Sequence, residues 1–219
     1  LLTIIKIHVK LKLNGGFLMQ YLKDEVRNSI AQEALKEFTL KGYKGASIRN
    51  IAKNSNTSVG NLYKYFISKE DLYEHVIGSV YHRLIDYIKR FDRVELNEKA
   101  EFIFYQLVEE IMEIFNESSI EISILLNQSK GSKYENCKSI FVDFTTRIIT
   151  ESMKYELSIR GKRLRDNFSI YLVSNSLVES IAIIVKERHE GAEVRRLIIN
   201  IIDIFTNYII NKLDSEDIK

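Results

Sequence analysis

None of the 219 residues is proline, and only nine are glycine. Those two residues punctuate loops and tight turns, so a chain this poor in both has few ways to reverse sharply. Between its breaks run stretches rich in Ile, Leu and Phe, and no evenly spaced short strands can be picked out. The combination predicts an all-α protein, helices joined by short loops, with enough apolar content for a real core.

Composition narrows the chemistry. The single cysteine, Cys137, excludes a disulfide framework and a cysteine-based zinc site, and fits a reducing compartment. With no second thiol to resolve an oxidised form, Cys137 is expected to be a packed small apolar residue. His8, His75, His82 and His189 are scattered and do not form a metal set, so neither a metal nor a cofactor is expected. No stretch is read as approaching the roughly 20 apolar residues of a membrane span, and a soluble, cytoplasmic protein is expected. Gly-x-Ser-x-Gly, a P-loop and His-Glu-x-x-His are all missing. His189, near Glu187 and Glu190, reads as complementing a helix C-terminus rather than as a catalytic pair. No enzymatic activity is expected.

A net charge of +2 hides an uneven distribution. Residues 1–18 and 20–92 each carry a net +3, whereas residues 93–219 carry a net −4. Between Lys41 and Lys69 there are six basic residues (Lys41, Lys44, Arg49, Lys53, Lys64, Lys69) and no Asp or Glu. A basic front and a mildly acidic back suggest that the front meets a polyanion.

The opening "LLTIIKIHVKLKLNGGFL" precedes the first methionine, Met19. Its apolar–basic alternation looks like a strand, but one without a partner in a helical protein, and its lysines spoil it as a signal peptide. Gly15-Gly16 is encoded by GGNGGN, compatible with a ribosome-binding site, so residues 1–18 are expected to be translated leader or a disordered extension.

From Tyr21 to Leu40 one apolar face recurs through Val26, Ile30, Ala34 and Phe38, with Gly42 placed to cap it. Ser47 is placed to cap a short helix, "SIRNIAKN", and Ser58 a second, "SVGNLYKYF". Ser68 opens a longer one with a capping-box pattern. Charged residues near Asp92 mark a boundary. Beyond it helices are expected over about 97–117, 120–128, up to Leu157, 167–189 and 192–213, forming a bundle.

Two short helices around a tight turn match a helix-turn-helix, whose second helix enters the major groove. A face pressed on phosphates cannot carry carboxylates, because each would oppose counterion release. Ser47 and Ser58 place hydroxyls at helix N-termini. Gly60 within a short helix costs about 1 kcal/mol relative to Ala, explicable where a side chain would collide with DNA. Tyr63 and Tyr65 offer hydroxyls, Lys64 and Lys69 charge, and Asn61 an amide able to pair bidentately with adenine. Arg49 and Thr57 complete the DNA-facing set. Each serine would serve as a cap without DNA, and Tyr63 also fits a core position.

Residues Ile30–Leu72 resemble the DNA-binding domain of the tetracycline-repressor (TetR) family. The resemblance is carried by "IAQEALKEF", "KGYKGASIRNIAKNSNTSVGNLYKYF" and "SKEDL". Asn56 stands where the family usually has a turn glycine, and Thr57 where it usually has valine. The resemblance implies a DNA-binding unit over residues 20–92 and a ligand-sensing, dimerising helical unit over 93–219. It also implies a homodimer joined through the last two helices, and a repressor released from a palindromic operator by a small molecule. An architectural or chromosome-segregation protein of the same fold, without an inducer, is the alternative. Phe102, Tyr105, Met112, Phe115, Phe141 and Phe144 either line a ligand pocket or are plain core. The loop cations Arg160, Lys162, Arg163 and Arg165 are expected to be solvated.

Overall fold

The computed structural model describes residues 2–91, 100–159, 161, 163, 167–188 and 190–215, with side chains from residue 23 onward in the first stretch and at 109–155, 157–159, 161, 163, 167–188 and 190–205 beyond it. The charged boundary near Asp92, the side chains of His8, Phe102 and Tyr105, and residues Arg160, Lys162, Arg165 and His189 lie outside the described residues.

Among the described residues all regular structure is helical: α1 Leu2–Gly45, α2 Ile48–Asn54, α3 Val59–Tyr65, α4 Lys69–Phe91, α5 Ala100–Glu117, α6 Ser119–Asn127, α7 Cys137–Ile159, α8 Phe168–Glu187 and α9 Gly191–Ser215. The alternating opening residues continue α1 instead of forming a strand. A helix satisfies its own backbone groups, whereas a solitary strand would leave them unpaired.

Helices α1 to α4 share one apolar centre. Ile30, Ala34 and Phe38 of α1 face Ile51, Leu62, Phe66, Leu72 and Tyr73, all fully buried. Phe38 meets Tyr73 edge-on, with ring centroids 4.9 Å apart. The long helix α4 then runs on into the bundle, where it packs on α5 and α6.

The junction between front and bundle is polar and specific. At Gly42 the backbone takes φ +65°, and α1 changes direction there. A Cβ at Gly42 would sit 3.2 Å from the Gln128 carbonyl oxygen, so glycine answers both a left-handed φ and a close approach. The Tyr43 amide donates to that same oxygen at 2.9 Å. In return the Gln128 side-chain amide donates to the Thr39 carbonyl at 2.7 Å. Its neighbour Asn127 donates to the Ala182 carbonyl of α8 at 2.9 Å. Further along, the Tyr73 and Ser129 hydroxyls bond at 2.8 Å, and Glu74 accepts from Tyr134 and pairs with Lys133.

One sequence expectation is corrected. Helix α8, 20 residues with a mean hydropathy of 1.7, is long and apolar enough by length and composition to cross a membrane. The structure accounts for that apolarity in another way. Ile170, Ser174, Leu177, Val178, Ala182 and Val185 form a buried seam against α6, α7 and α9. Phe168, Leu172 and Ile183 occupy the opposite side and are exposed, and Tyr171 is exposed near the start of the helix.

Cys137 is fully buried, and burial pushes its thiol up to about 12, which keeps it from the reactive thiolate form.

Candidate nucleic-acid interface

The turn between α2 and α3 is built from local rules. The Ser47 side chain accepts from the Asn50 amide at 3.4 Å, and Ser58 accepts from the Asn61 amide at 3.1 Å. Asn56 adopts φ +53°, the left-handed geometry that asparagine tolerates better than other residues with a Cβ. Ile51 and Ala52 anchor α2, and Leu62 anchors α3, each in the shared core. With Leu62 turned inward, the opposite face of α3 is committed outward.

That outward face holds most of the residues singled out from sequence. Arg49, Ser58, Gly60, Tyr63 and Lys64 are exposed, and Ser47, Thr57, Asn61, Tyr65 and Lys69 are half-buried. Tyr63 is 45% exposed, which places it outside the core. A Cβ on Gly60 would meet nothing within 4 Å, so no internal contact explains the glycine. Asn61 donates from its side-chain amide to the Thr57 hydroxyl at 2.8 Å. The carbonyl oxygen and the second amide proton of Asn61 make no further bond among the described residues.

Lys69 behaves differently from Lys64. Its ammonium donates to the Ala46 carbonyl at 2.9 Å and the Lys44 carbonyl at 3.3 Å, and lies 4.9 Å from the centre of the Tyr43 ring. Burial lowers its pKa, with Glu37 opposing the shift. Lys69 therefore fastens the start of α4 to the end of α1. Asp71 closes the cap of α4, taking the Ile67 amide at 2.9 Å while Ser68 accepts from the Asp71 amide at 3.0 Å.

Two contributions were missed from sequence. Glu37, buried on α1, accepts from the Ser47 amide at 3.1 Å and the Asn50 side chain at 3.3 Å. The acid-free segment thus receives a carboxylate from ten residues upstream, and it is spent on the N-terminus of α2 rather than shown to solvent. Lys23 and Arg27 line a groove of about 600 Å³ with Asp24, Asn61, Lys64 and Tyr65, and the Arg27 guanidinium sits 5.5 Å from the centre of the Phe66 ring. A pair of cations four residues apart on the preceding helix was the available signal.

Of the aromatic pocket candidates, Met112, Phe115, Phe141 and Phe144 are buried in the core. Phe144 packs edge-on to Tyr87 and Phe91, at 5.9 and 5.1 Å. Arg163 is exposed.

A family model falls on the same segment. Residues 30–76 match the model of "Bacterial regulatory proteins, tetR family". The chain is 27% identical over 95 residues to the probable HTH-type transcriptional regulator YttP of Bacillus subtilis, covering 43% of this chain and 44% of that protein. It thus spans less than half the length of that relative. It is 22% identical over 132 residues to the biofilm operon icaADBC HTH-type negative transcriptional regulator IcaR of Staphylococcus epidermidis, covering 59% and 69% of the two chains. Among solved structures, a TetR-like transcriptional regulator from Rhodococcus superposes with a TM-score of 0.52 at 14% identity, covering 86% of this chain and 96% of that one. A Clostridium perfringens putative fatty acid metabolism regulator gives 0.51 at 22%, covering 80% and 97%. These two similarities concern the fold, an N-terminal helix-turn-helix followed by a helical bundle. Together with the capped α2–α3 turn, the match makes residues 30–76 similar to the tetR family of bacterial regulatory proteins.

Proposed function

We propose that this protein is a transcriptional repressor that binds a palindromic operator as a homodimer and is released by a small molecule. The observation that carries the reading is the outward face of α3: capped, free of carboxylates, and holding a glycine with open space beside it. In this reading residues 20–92 form the DNA-binding unit and residues 93–219 the ligand-binding and dimerising unit. Helix α3 lies in the major groove, and Asn61 reads a base edge. Ser47, Arg49, Ser58, Tyr63, Lys64 and Tyr65 hold the phosphate backbone, joined by Lys23 and Arg27 from α1. The exposed apolar residues of α8, with Ile204 on α9, support dimerisation through the last two helices. Half-sites are then expected about 34–36 Å apart. The negative regulation named for IcaR supports the repressor sign, and operator binding places the protein in the bacterial cytoplasm.

The test is fluorescence anisotropy of the full chain on DNA from upstream of its own gene, with unrelated competitor DNA, across a salt titration and a panel of lipophilic and cationic compounds. Competitor-resistant binding that one compound abolishes is the expected result. Specific binding that no compound disturbs, even as the panel widens, would favour the architectural alternative. Tyr63→Ala is expected to weaken binding to every sequence, and Asn61→Ala to relax preference at one operator position by about 1–3 kcal/mol. Equal loss on all sequences from Asn61→Ala removes its base-reading role.

A further inference from the structure

Lysines without an acidic partner occur in two places among the described residues. One is the front face just discussed. Elsewhere the pattern is pairing: Lys36 with Glu33, Lys89 with Asp86, Lys133 with Glu74, Lys138 with Glu179 and Lys154 with Glu151. The second place is a groove of about 420 Å³ where the ends of α1, α6 and α8 meet, lined by Lys41, Lys44, Lys130 and Lys186 with Asn127 and Gln128. Lys41, Lys44 and Lys130 form no ion pair among the described residues, and Lys186 reaches only Glu187, at 4.0 Å. The loop after α6 is close to the end of α1, since a Cβ on Gly131 would lie 3.9 Å from that of Lys44.

Helix dipoles do not account for this much charge. Three helix C-termini point here, each equivalent to roughly half a negative charge. Together they come to about one and a half negative charges, the Glu187 carboxylate near Lys186 adds one, and the groove holds four lysines. The surplus is held at fixed positions, because its floor is the bonded junction of Gln128 with Thr39 and Tyr43, and of Asn127 with Ala182.

We propose that this groove is a binding site for a small polyanion, a molecule carrying two or more phosphate groups. The four lysines come from three separate pieces of chain: two from the end of α1, one from the loop after α6 and one from the end of α8. A compact polyanion touches all of them at once. Its occupancy ties α1, which leads into the helix-turn-helix, to the bundle, and stabilises the arrangement in which the groove is formed. The site is separate from the α3 face and does not depend on how that face is used.

Inorganic tripolyphosphate is the probe, titrated calorimetrically into the full chain at constant ionic strength. One saturable site is expected, with a rise in the thermal unfolding midpoint. Lys41→Gln combined with Lys130→Gln is expected to weaken binding at least tenfold, and Lys186→Gln alone to weaken it by a smaller factor. Lys36→Gln combined with Lys154→Gln, which removes two lysines from elsewhere, is expected to leave it unchanged. All these lysines are exposed, and an unchanged unfolding midpoint without ligand verifies each fold. No saturable binding by the native chain overturns the proposal. So does undiminished binding by the Lys41/Lys130 variant, which would place the polyanion on the α3 face. If tripolyphosphate fails to bind but that variant loses affinity for duplex DNA, the groove is a DNA-backbone contact and the proposal is again overturned.

Discussion

The α2–α3 turn and the bundle behind it treat charge in opposite ways. Outside the groove between α1, α6 and α8, many cations of the bundle are answered by neighbours: Arg83 by Glu117 at 3.0 Å, Lys138 by Glu179 at 3.0 Å, Arg195 by Glu109 at 2.5 Å. Exposed pairs of this kind contribute little to stability, roughly 0–1 kcal/mol each, but they leave no field reaching into solvent. On the front, Arg49, Lys53 and Lys64 have no such partner among the described residues. Their charge is left available to something outside the chain. The contrast teaches that positive charge alone says little about a partner; positive charge left unanswered on a rigid, capped element says much more.

The contrast is broken most severely by removing what holds α3 in place. Leu62→Ala deletes a fully buried side chain and is expected to cost about 2–5 kcal/mol, measured by denaturant unfolding of the full chain. A loss under about 1 kcal/mol would mean that α3 is not anchored through Leu62. Next, Gly42→Ala puts a Cβ into a positive-φ position 3.2 Å from the Gln128 carbonyl, with an expected cost of roughly 1–3 kcal/mol. An unchanged midpoint would show that the junction yields easily. Gly60→Ala should move the other way, because its Cβ meets open space. A gain of up to about 1 kcal/mol in stability, together with weaker DNA binding, would separate folding from function at one residue. Weaker DNA binding without any gain would leave the glycine unexplained.

The smallest effect concerns acid at the junction. Burial alone would raise the Glu74 carboxyl, but its bonds from Tyr134, Lys133 and His82 outweigh that and hold it below its ordinary value of 4.5. A depressed folded-state pKa contributes stability above the unfolded value and loses it as pH falls through the folded one. Glu74→Gln should therefore flatten the decline in thermal midpoint below about pH 4.5 while lowering the midpoint at neutral pH. Because the Glu74 side chain is 35% exposed, solvent screening keeps the change modest. A decline as steep in the variant as in the native chain would assign the acid sensitivity to other carboxylates.

Legibility from sequence divided along the same line as charge. The caps at Ser47, Ser58 and Ser68, the left-handed turn at Asn56 and the inward Ile51, Ala52 and Leu62 all follow from rules acting within about four residues. The chain states them outright. Glu37 reaching the α2 N-terminus, Lys69 docking on the Ala46 carbonyl and Gln128 gripping Thr39 join residues 10, 23 and 89 positions apart. No periodicity encodes such bonds, because each depends on how whole helices come to rest. Helix α8 shows a third case. Its apolar content was spread over two faces, one for the bundle and one exposed, and composition alone did not separate them from a membrane span.

Asn127 and Gln128 are adjacent, yet one amide holds α8 and the other holds α1. The end of α6 is thus a shared fulcrum, unable to swivel without pulling on one grip or the other. Helix α1 is the arm on that fulcrum. From Gly42 back to Lys23 it extends about 28 Å, so a tilt of about 5° at the Gln128 grip carries Lys23 through about 2.5 Å. A disturbance of the bundle smaller than a bond length would arrive at the far end of that arm as a displacement wider than the tolerance of a hydrogen bond.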